Sequence, residues 1–331
     1  MPRDWVLLHA GALGDLALAL QVALRVPGIR RRGALTIYSS TSLGELHACT
    51  PAIRGCSLDA LRASWLFGDS ADARPAALVQ ALRGRAVISA LGDSRTRVHE
   101  RLSQLALAAL YSYDPRPRAD LAAHITQQWT SDLAGGGLLV EQCVARRRSA
   151  VLRVPDALRA RGAARLETVG VTRSACLIHP GSGGRAKCWP AEAFVAAARL
   201  VRARAGIDVA FVLGPVEQER MSVHEIASLR RVCSVLTPMS AGELTELLAA
   251  AAVLLSNDSG PAHLAALLGA PTVTLFGPTR AARWRPLGPA ARVLQGDPAQ
   301  GAAWGLNAEQ ATDAACASLA RSPRPTATPA P

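Results

Sequence analysis

Short apolar runs alternate along the whole chain with stretches whose apolar residues recur every three or four positions. In the first half, the runs at 5–9, 34–38 and 86–91 read as buried strands, with a brief fourth at 64–67. In the second half, 175–179, 208–213, 232–236, 253–256 and 273–276 read the same way. Helical spacing occupies the gaps at 16–24, 43–48, 75–82 and 98–110, then at 191–205, 218–229, 241–251, 261–268 and 305–320. Strands alternating with helices predict parallel sheets joined by right-handed crossovers, an α/β class. The alternation restarts midway, so two Rossmann-like domains are expected, at 1–152 and 153–320. The arginine-rich segment near 145–155 is the expected linker, Gly135-Gly136-Gly137 a weak point before it, and the Pro/Ser/Thr-rich end at 321–331 a disordered tail.

Polar residues gather where the predicted strands end, most densely at 253–279. There Asn257, Asp258, Ser259 and Gly260 form a turn and Pro261 opens a short helix. Gly269 stops that helix and Pro271 forbids its continuation. In open α/β sheets ligands bind beyond the carboxyl ends of the strands. A helix start adds free N–H groups and a positive dipole end, a seat for phosphate. The turn is therefore expected to hold the diphosphate of a nucleotide-linked donor. A second polar loop, 180–190, follows the strand at 175–179. A glycine turn ending in Gly14-Asp15 follows the first strand, but without the G-x-G-x-x-G spacing of a dinucleotide fingerprint.

Composition narrows the partners. The chain of 331 residues has a net charge of +12, which favours anionic ones: nucleotide sugars, phosphorylated glycolipids or an acidic membrane face. Aromatics are only 4% and no basic run carries interleaved aromatics, so nucleic acid is not an expected partner. Seven cysteines (Cys49, Cys56, Cys143, Cys176, Cys188, Cys233, Cys316) form no C-x-x-C pair and read as reduced thiols of a cytoplasmic protein. No apolar stretch is long enough to span a membrane, and the first residues lack signal-peptide features.

Several side chains can carry chemistry. Lys187 is the only lysine in an arginine-rich chain; on a glycine-rich loop it is either a phosphate ligand or a chance surface residue. Asp15 is either a base for an acceptor hydroxyl or a helix-start carboxylate. Asp258 either caps its helix or serves the site, and His263 either serves the site or is a core histidine. Glu217 follows a strand end and either accepts hydrogen bonds from ribose hydroxyls or is a solvated first-turn residue. Met239 either pads a base or packs in the core. His179, Ser182, Arg95 and Arg97 are weaker candidates. No Walker loop, G-x-S-x-G elbow, zinc spacing or D-x-D metal seat occurs, so a departing diphosphate would rely on cations and helix starts.

These residues, taken in order, resemble glycosyltransferase family 9, the ADP-heptose:lipopolysaccharide heptosyltransferases. The shared stretches are G-A-L-G-D at 11–15, H-P-G-S-G and A-K-C-W-P within 179–190, L-G-P-V-E at 213–217, P-M-S at 238–240, and N-D-S-G-P-A-H with G-A-P-T-V-T-L-F-G-P-T within 257–279. The resemblance implies a GT-B fold, an acceptor-binding first domain and a donor-binding second one. It implies an inverting transfer needing no metal or other cofactor, with Asp15 as base. Lys187 and Ser182 would contact donor phosphate, Glu217 the ribose and Met239 the adenine. Asp258, Ser259, Gly260 and His263 would lie at the diphosphate. His9 stands where the family commonly carries Lys or Arg, so His9, Arg95 and Arg97 are the acceptor-side candidates. The implied partners are an ADP-sugar donor and an anionic glycan or glycolipid acceptor, handled by a cytoplasmic monomer in peripheral contact with the inner membrane. Two alternatives remain beside this reading: a non-catalytic nucleotide-sugar-binding module, and a family member using another nucleotide sugar and a non-lipid acceptor. A nicotinamide oxidoreductase is disfavoured by the missing glycine spacing.

Overall fold

The computed structural model describes residues 4–41, 46–49, 52–68, 73–119, 121–138, 152–172 and 174–320. Residues 145–151 of the expected linker, the tail at 321–331, Cys143 and the start of the helix expected at 43–48 lie outside the described residues. Five strands, β1 (Asp4–His9), β2 (Ala34–Ser39), β3 (Ile53–Ser57), β4 (Ala86–Ser89) and β5 (Ala109–Ser112), pair in parallel in the order β3-β2-β1-β4-β5. Six more, β6 (Ala175–His179), β7 (Asp208–Val212), β8 (Ser234–Leu236), β9 (Val253–Asn257), β10 (Thr272–Phe276) and β11 (Ala291–Gln295), form a second parallel sheet, β11-β10-β9-β6-β7-β8. The two are doubly wound α/β domains. β6, β9 and β10 are buried on both faces, which is why they read as near-continuous apolar runs. In each sheet the strand order reverses beside the first strand, between β1 and β4 and between β6 and β9. A crevice opens at such a switch point.

Several elements differ from the sequence reading. The stretch expected as a strand at 64–67 is a 3₁₀ turn, Ala63–Leu66, and the strand of that region is β3 instead. IRGCS carries too few apolar residues to announce itself. The helix expected at 98–110 is Arg97–Ser103, and the apolar residues after it become β5. A short apolar run does not by itself distinguish helix from strand. Helices Ile125–Gly135 and Asp156–Glu167 and strand β11 were not anticipated. Among the described residues no helix is long and apolar enough to cross a membrane, and the six described cysteines are free.

One hydrophobic core runs from the first domain into the second. Leu16 and Leu20 of the Leu13–Ala23 helix and Leu264 and Leu267 of the Gly260–Leu267 helix belong to it. At their N-terminal ends these two helices nearly touch. A Cβ on Gly260 would lie 3.0 Å from the Leu13 Cβ, and one on Gly14 would lie 3.0 Å from the His263 ring. Polar bridges support the junction: Gln21 donates to the Leu287 carbonyl at 2.8 Å and His124 Nε2 to the Arg285 carbonyl at 3.0 Å. Burial pushes His124 down to about 4, so it bridges as a neutral ring.

Helix Asp156–Glu167 packs against helix Ala241–Ala250 so closely that a Cβ on Gly162 would lie 2.0 Å from the Glu246 carbonyl oxygen. Arg161 and Arg165 flank that glycine and bond the Glu246 carboxylate. Burial raises the Glu246 pKa, but the two guanidinium groups outweigh it and hold the carboxyl below its ordinary value. Gly162→Ala gains about 0.5–1 kcal/mol of helix propensity and forces the helices apart at a cost of about 1–3 kcal/mol. The expected result is a lower Tm in a thermal melt; an unchanged or raised Tm would contradict this packing.

Candidate functional site

The loops after β6 and β9 flank the switch point of the second sheet, and a side-chain lattice locks them together. Asn257, the last residue of β9, accepts from the Trp189 N–H at 3.0 Å and donates to the Pro180 carbonyl at 2.6 Å. Ser182 donates its hydroxyl to the Asp258 carbonyl at 2.6 Å. The chain at 180–190 is thereby held over the turn at 257–260.

Within that lattice Lys187 Nζ lies 3.2 Å from Asp258 Oδ2. The same oxygen accepts from the Thr279 hydroxyl at 2.8 Å, and His263 Nε2 stands 3.8 Å from Oδ1. Burial raises the Asp258 pKa, yet His263, the Lys187 charge and the Thr279 hydroxyl prevail and hold it below the usual carboxylate range. Asp258 is nearly buried, whereas the Lys187 side chain keeps 39% of its surface exposed. The Asp258 side chain does not cap the helix behind it. The cap residue is Ser259, which makes no side-chain cap bond. That leaves the Ser259 hydroxyl and His263 Nδ1 buried without a partner at the helix start. A core histidine bonded to backbone would not have this pattern.

Across the junction sits Asp15, in the first turn of the Leu13–Ala23 helix and half-buried. Burial pushes its pKa up; the nearby charges of His263 and Lys187 pull it partly back, and Asp258 opposes them. The carboxylate of the first domain therefore shares one electrostatic site with the cation and histidine of the second. His9 lies behind it: a Cβ on Gly11 would be 2.7 Å from His9 Cε1 and 3.2 Å from Asp15 Oδ2. The Gly11 N–H donates to His9 Nδ1 at 3.1 Å, and burial pushes His9 down to about 4, so it supplies no positive charge near neutral pH.

Between the domains lies a cavity of about 500 Å³. Ala12, Leu13 and Gly14 line it from the first domain, and His179, Ser182, Glu217, Met239, Ser259 and Gly260 from the second. Glu217 is buried, not solvated, and its Oε2 accepts from the Gly214 N–H at 2.9 Å. Met239 is 69% exposed, so it is not a core residue. Its N–H donates to the Glu243 carboxylate at 2.8 Å, while the Glu243 N–H donates to the Ser240 hydroxyl at 3.1 Å. His9, Asp15, Lys187, Asp258 and His263 flank the cavity but are not among the residues lining it; Arg95 and Arg97 are not among them either, and Arg95 pairs with Asp93 at 2.7 Å. Among the described residues no group of three or more His, Cys, Asp or Glu side chains is arranged to hold a metal ion.

Comparison with known proteins bears on the half that carries most of this lattice. Residues 148–304 match the model of glycosyltransferase family 9 (heptosyltransferase). This stretch of the chain is a family 9 domain. A curated relative, lipopolysaccharide heptosyltransferase 3 of Escherichia coli, is 32% identical over 124 residues, 37% of this chain. The match spans only 36% of that relative's length. A family 9 glycosyl transferase structure from Veillonella parvula superposes with a TM-score of 0.69 at 20% identity, covering 97% of this chain and 98% of that one. The E. coli heptosyltransferase WaaC solved with ADP gives 0.64 at 18% identity, covering 94% and 98%. These two likenesses concern the fold, two facing parallel-sheet domains of GT-B type. The family 9 domain contains Ser182, Lys187, Glu217, Met239, Asp258, Ser259, Gly260 and His263; Asp15 and His9 lie outside the matched residues.

Two members of the lattice escaped the sequence reading. Asn257 was read as part of a turn, and Thr279 only as the end of a motif. Each is a polar residue at the end of an apolar strand run, a position that raises suspicion but names no partner.

Proposed function

We propose that the protein is an inverting glycosyltransferase. It moves a heptose or related sugar from ADP-heptose, or another nucleotide sugar, to a lipopolysaccharide core or other glycan acceptor. The observation that carries this reading is that Asp15 of the first domain lies within electrostatic reach of Lys187, Asp258 and His263 of the second, next to the interdomain cavity lined by Gly14, Ser182, Ser259 and Gly260. In this reading 153–320 holds the donor and 1–152 the acceptor.

The donor diphosphate lies over the start of the Gly260–Leu267 helix. The unpartnered Ser259 hydroxyl and the helix dipole favour an anion there. Lys187, held in place by Asp258, faces the same charge. Glu217 accepts from ribose, and the exposed Met239 thioether covers the adenine. Asp15 takes the proton of the acceptor hydroxyl as its oxygen attacks the anomeric carbon from the face opposite the diphosphate. The nucleoside diphosphate then leaves, its new charge stabilised by Lys187 and the helix start. One displacement inverts the anomeric centre, and the cationic groups present fit a transfer without metal. A carboxylate with a raised pKa is a stronger base than an ordinary one, which suits Asp15 to this task. The Ser182 hydroxyl proton is engaged by the Asp258 carbonyl, so Ser182 acts chiefly as a brace of the phosphate loop. The net charge of +12 supports an anionic acceptor.

The test is ADP release by the purified protein from ADP-heptose with a panel of core glycolipid and soluble glycan acceptors. Acceptor-dependent release insensitive to a chelator is expected. Tight ADP binding without release on any acceptor would favour the non-catalytic module.

A further inference from the structure

Beside the proposed diphosphate seat, the cleft wall contains a pair of acceptors that face each other. His179 ends β6 and is buried. Its Nδ1 lies 3.0 Å from the Val212 carbonyl oxygen. A carbonyl only accepts, so Nδ1 carries the proton, and in the neutral ring Nε2 offers a lone pair. Nε2 faces Glu217 Oε1 at 3.7 Å, beyond hydrogen-bonding distance. The other Glu217 oxygen is taken by the Gly214 N–H. The placement is built in: a Cβ on Gly181 would lie 2.0 Å from Glu217 Oε1, so only glycine there leaves room for the carboxylate. Both side chains line the 500 Å³ cavity.

Both acceptors open on the cavity, so a ligand that displaces their water must donate to both or leave one unpaired. A single hydroxyl has one proton and satisfies one of them. Adjacent hydroxyls on a ring present two. We infer that His179 and Glu217 together form a diol clamp: one hydroxyl of a vicinal diol donates to Glu217 Oε1 and its neighbour to His179 Nε2. The ligand so selected is a nucleoside diphosphate whose ribose carries both the 2′- and the 3′-hydroxyl. This rests on the reading above that the nucleotide occupies this cleft, and it adds His179 as a specificity residue. A ribose lacking either hydroxyl leaves one acceptor desolvated and unpaired, a loss on the order of tenfold or more in affinity.

The experiment is calorimetric binding of ADP, 2′-deoxy-ADP and 3′-deoxy-ADP to the wild type, His179→Asn and Glu217→Gln. Asparagine keeps a short N–H towards Val212 but has no acceptor where Nε2 stood. The wild type should bind both deoxy analogues about tenfold or more weakly than ADP. In His179→Asn the penalty for one analogue should largely vanish while the other persists, and Glu217→Gln should blunt the other. If His179 is merely structural, or pairs with Glu217 as a charged imidazole, all three ligands weaken alike and their ratios survive, which overturns the clamp. Wild type that binds both deoxy analogues as tightly as ADP overturns it without any variant. Wild type that binds no ADP removes the nucleotide seat and the clamp together, whereas ADP binding with unaltered ratios in His179→Asn removes the clamp alone.

Discussion

Asp15→Asn should lower sugar transfer by about 10²–10⁴-fold, the usual contribution of a positioned base, without lowering Tm. The two halves of this expectation have one cause. Burial raises the Asp15 pKa, with His263 and Lys187 offsetting part of the effect. A raised pKa means that the folded state binds the proton more tightly than the unfolded chain does. Ionised Asp15 is therefore a destabilising group above its unfolded pKa, and protonation on the way to acid relieves it. Replacing it by a neutral isostere removes that cost along with the base. The wild-type rate should rise with pH through the raised pKa of this carboxyl. Initial rates of ADP release and a thermal melt of the same sample check both halves. Wild-type turnover in the variant would remove Asp15 from the mechanism, and loss of rate with a collapsed Tm would assign it to folding instead.

Lys187→Ala should cost on the order of 10²–10³-fold in rate, as removal of one preorganised charge-stabilising donor does. Lys187→Arg should not restore it. The ammonium sits 3.2 Å from Asp258 Oδ2, in a loop braced by Ser182 and Asn257, and a planar guanidinium needs different space and different partners. The substitution also orphans Asp258. That carboxyl is held low in the folded state, so it contributes stability above its unfolded pKa and loses it as pH falls through the folded one. Without Lys187 the folded pKa moves back up towards the unfolded one, so the loss of stability on acidification should shrink. Tm measured across the acidic range, beside rates at neutral pH, checks this. An arginine variant with full activity, or an undiminished loss of stability on acidification in Lys187→Ala, would contradict the role assigned to the ammonium.

The parts of the site legible in the sequence were those where composition broke its own pattern. One lysine among arginines, and a polar turn between two apolar runs, marked Lys187 and Asp258, and the structure pairs them. The doubly wound α/β class followed from alternation alone. Its edge strands did not: β3 and β11 have few fully buried positions, so their signal is faint. β5 was absorbed into a helix because its apolar residues continue those of the helix before it. The partners of the site residues were least legible. That the Asp258 carboxylate meets Lys187 and Thr279 and makes no cap depends on where β6 and β10 bring their loops. That His179 faces Glu217 depends on the bare Gly181, which leaves room for the carboxylate. Such pairings join residues far apart in sequence, and no local pattern encodes them.

The central claim is that the lysine and the helix start at the Asp258 turn seat a diphosphate. Calorimetric affinities of ADP and adenosine for wild type and Lys187→Ala test it most directly. The account predicts that the variant binds ADP about tenfold to 10²-fold more weakly, the worth of a charge-assisted hydrogen bond, while adenosine is unaffected. Equal weakening of both ligands, or ADP binding that does not change, would contradict it.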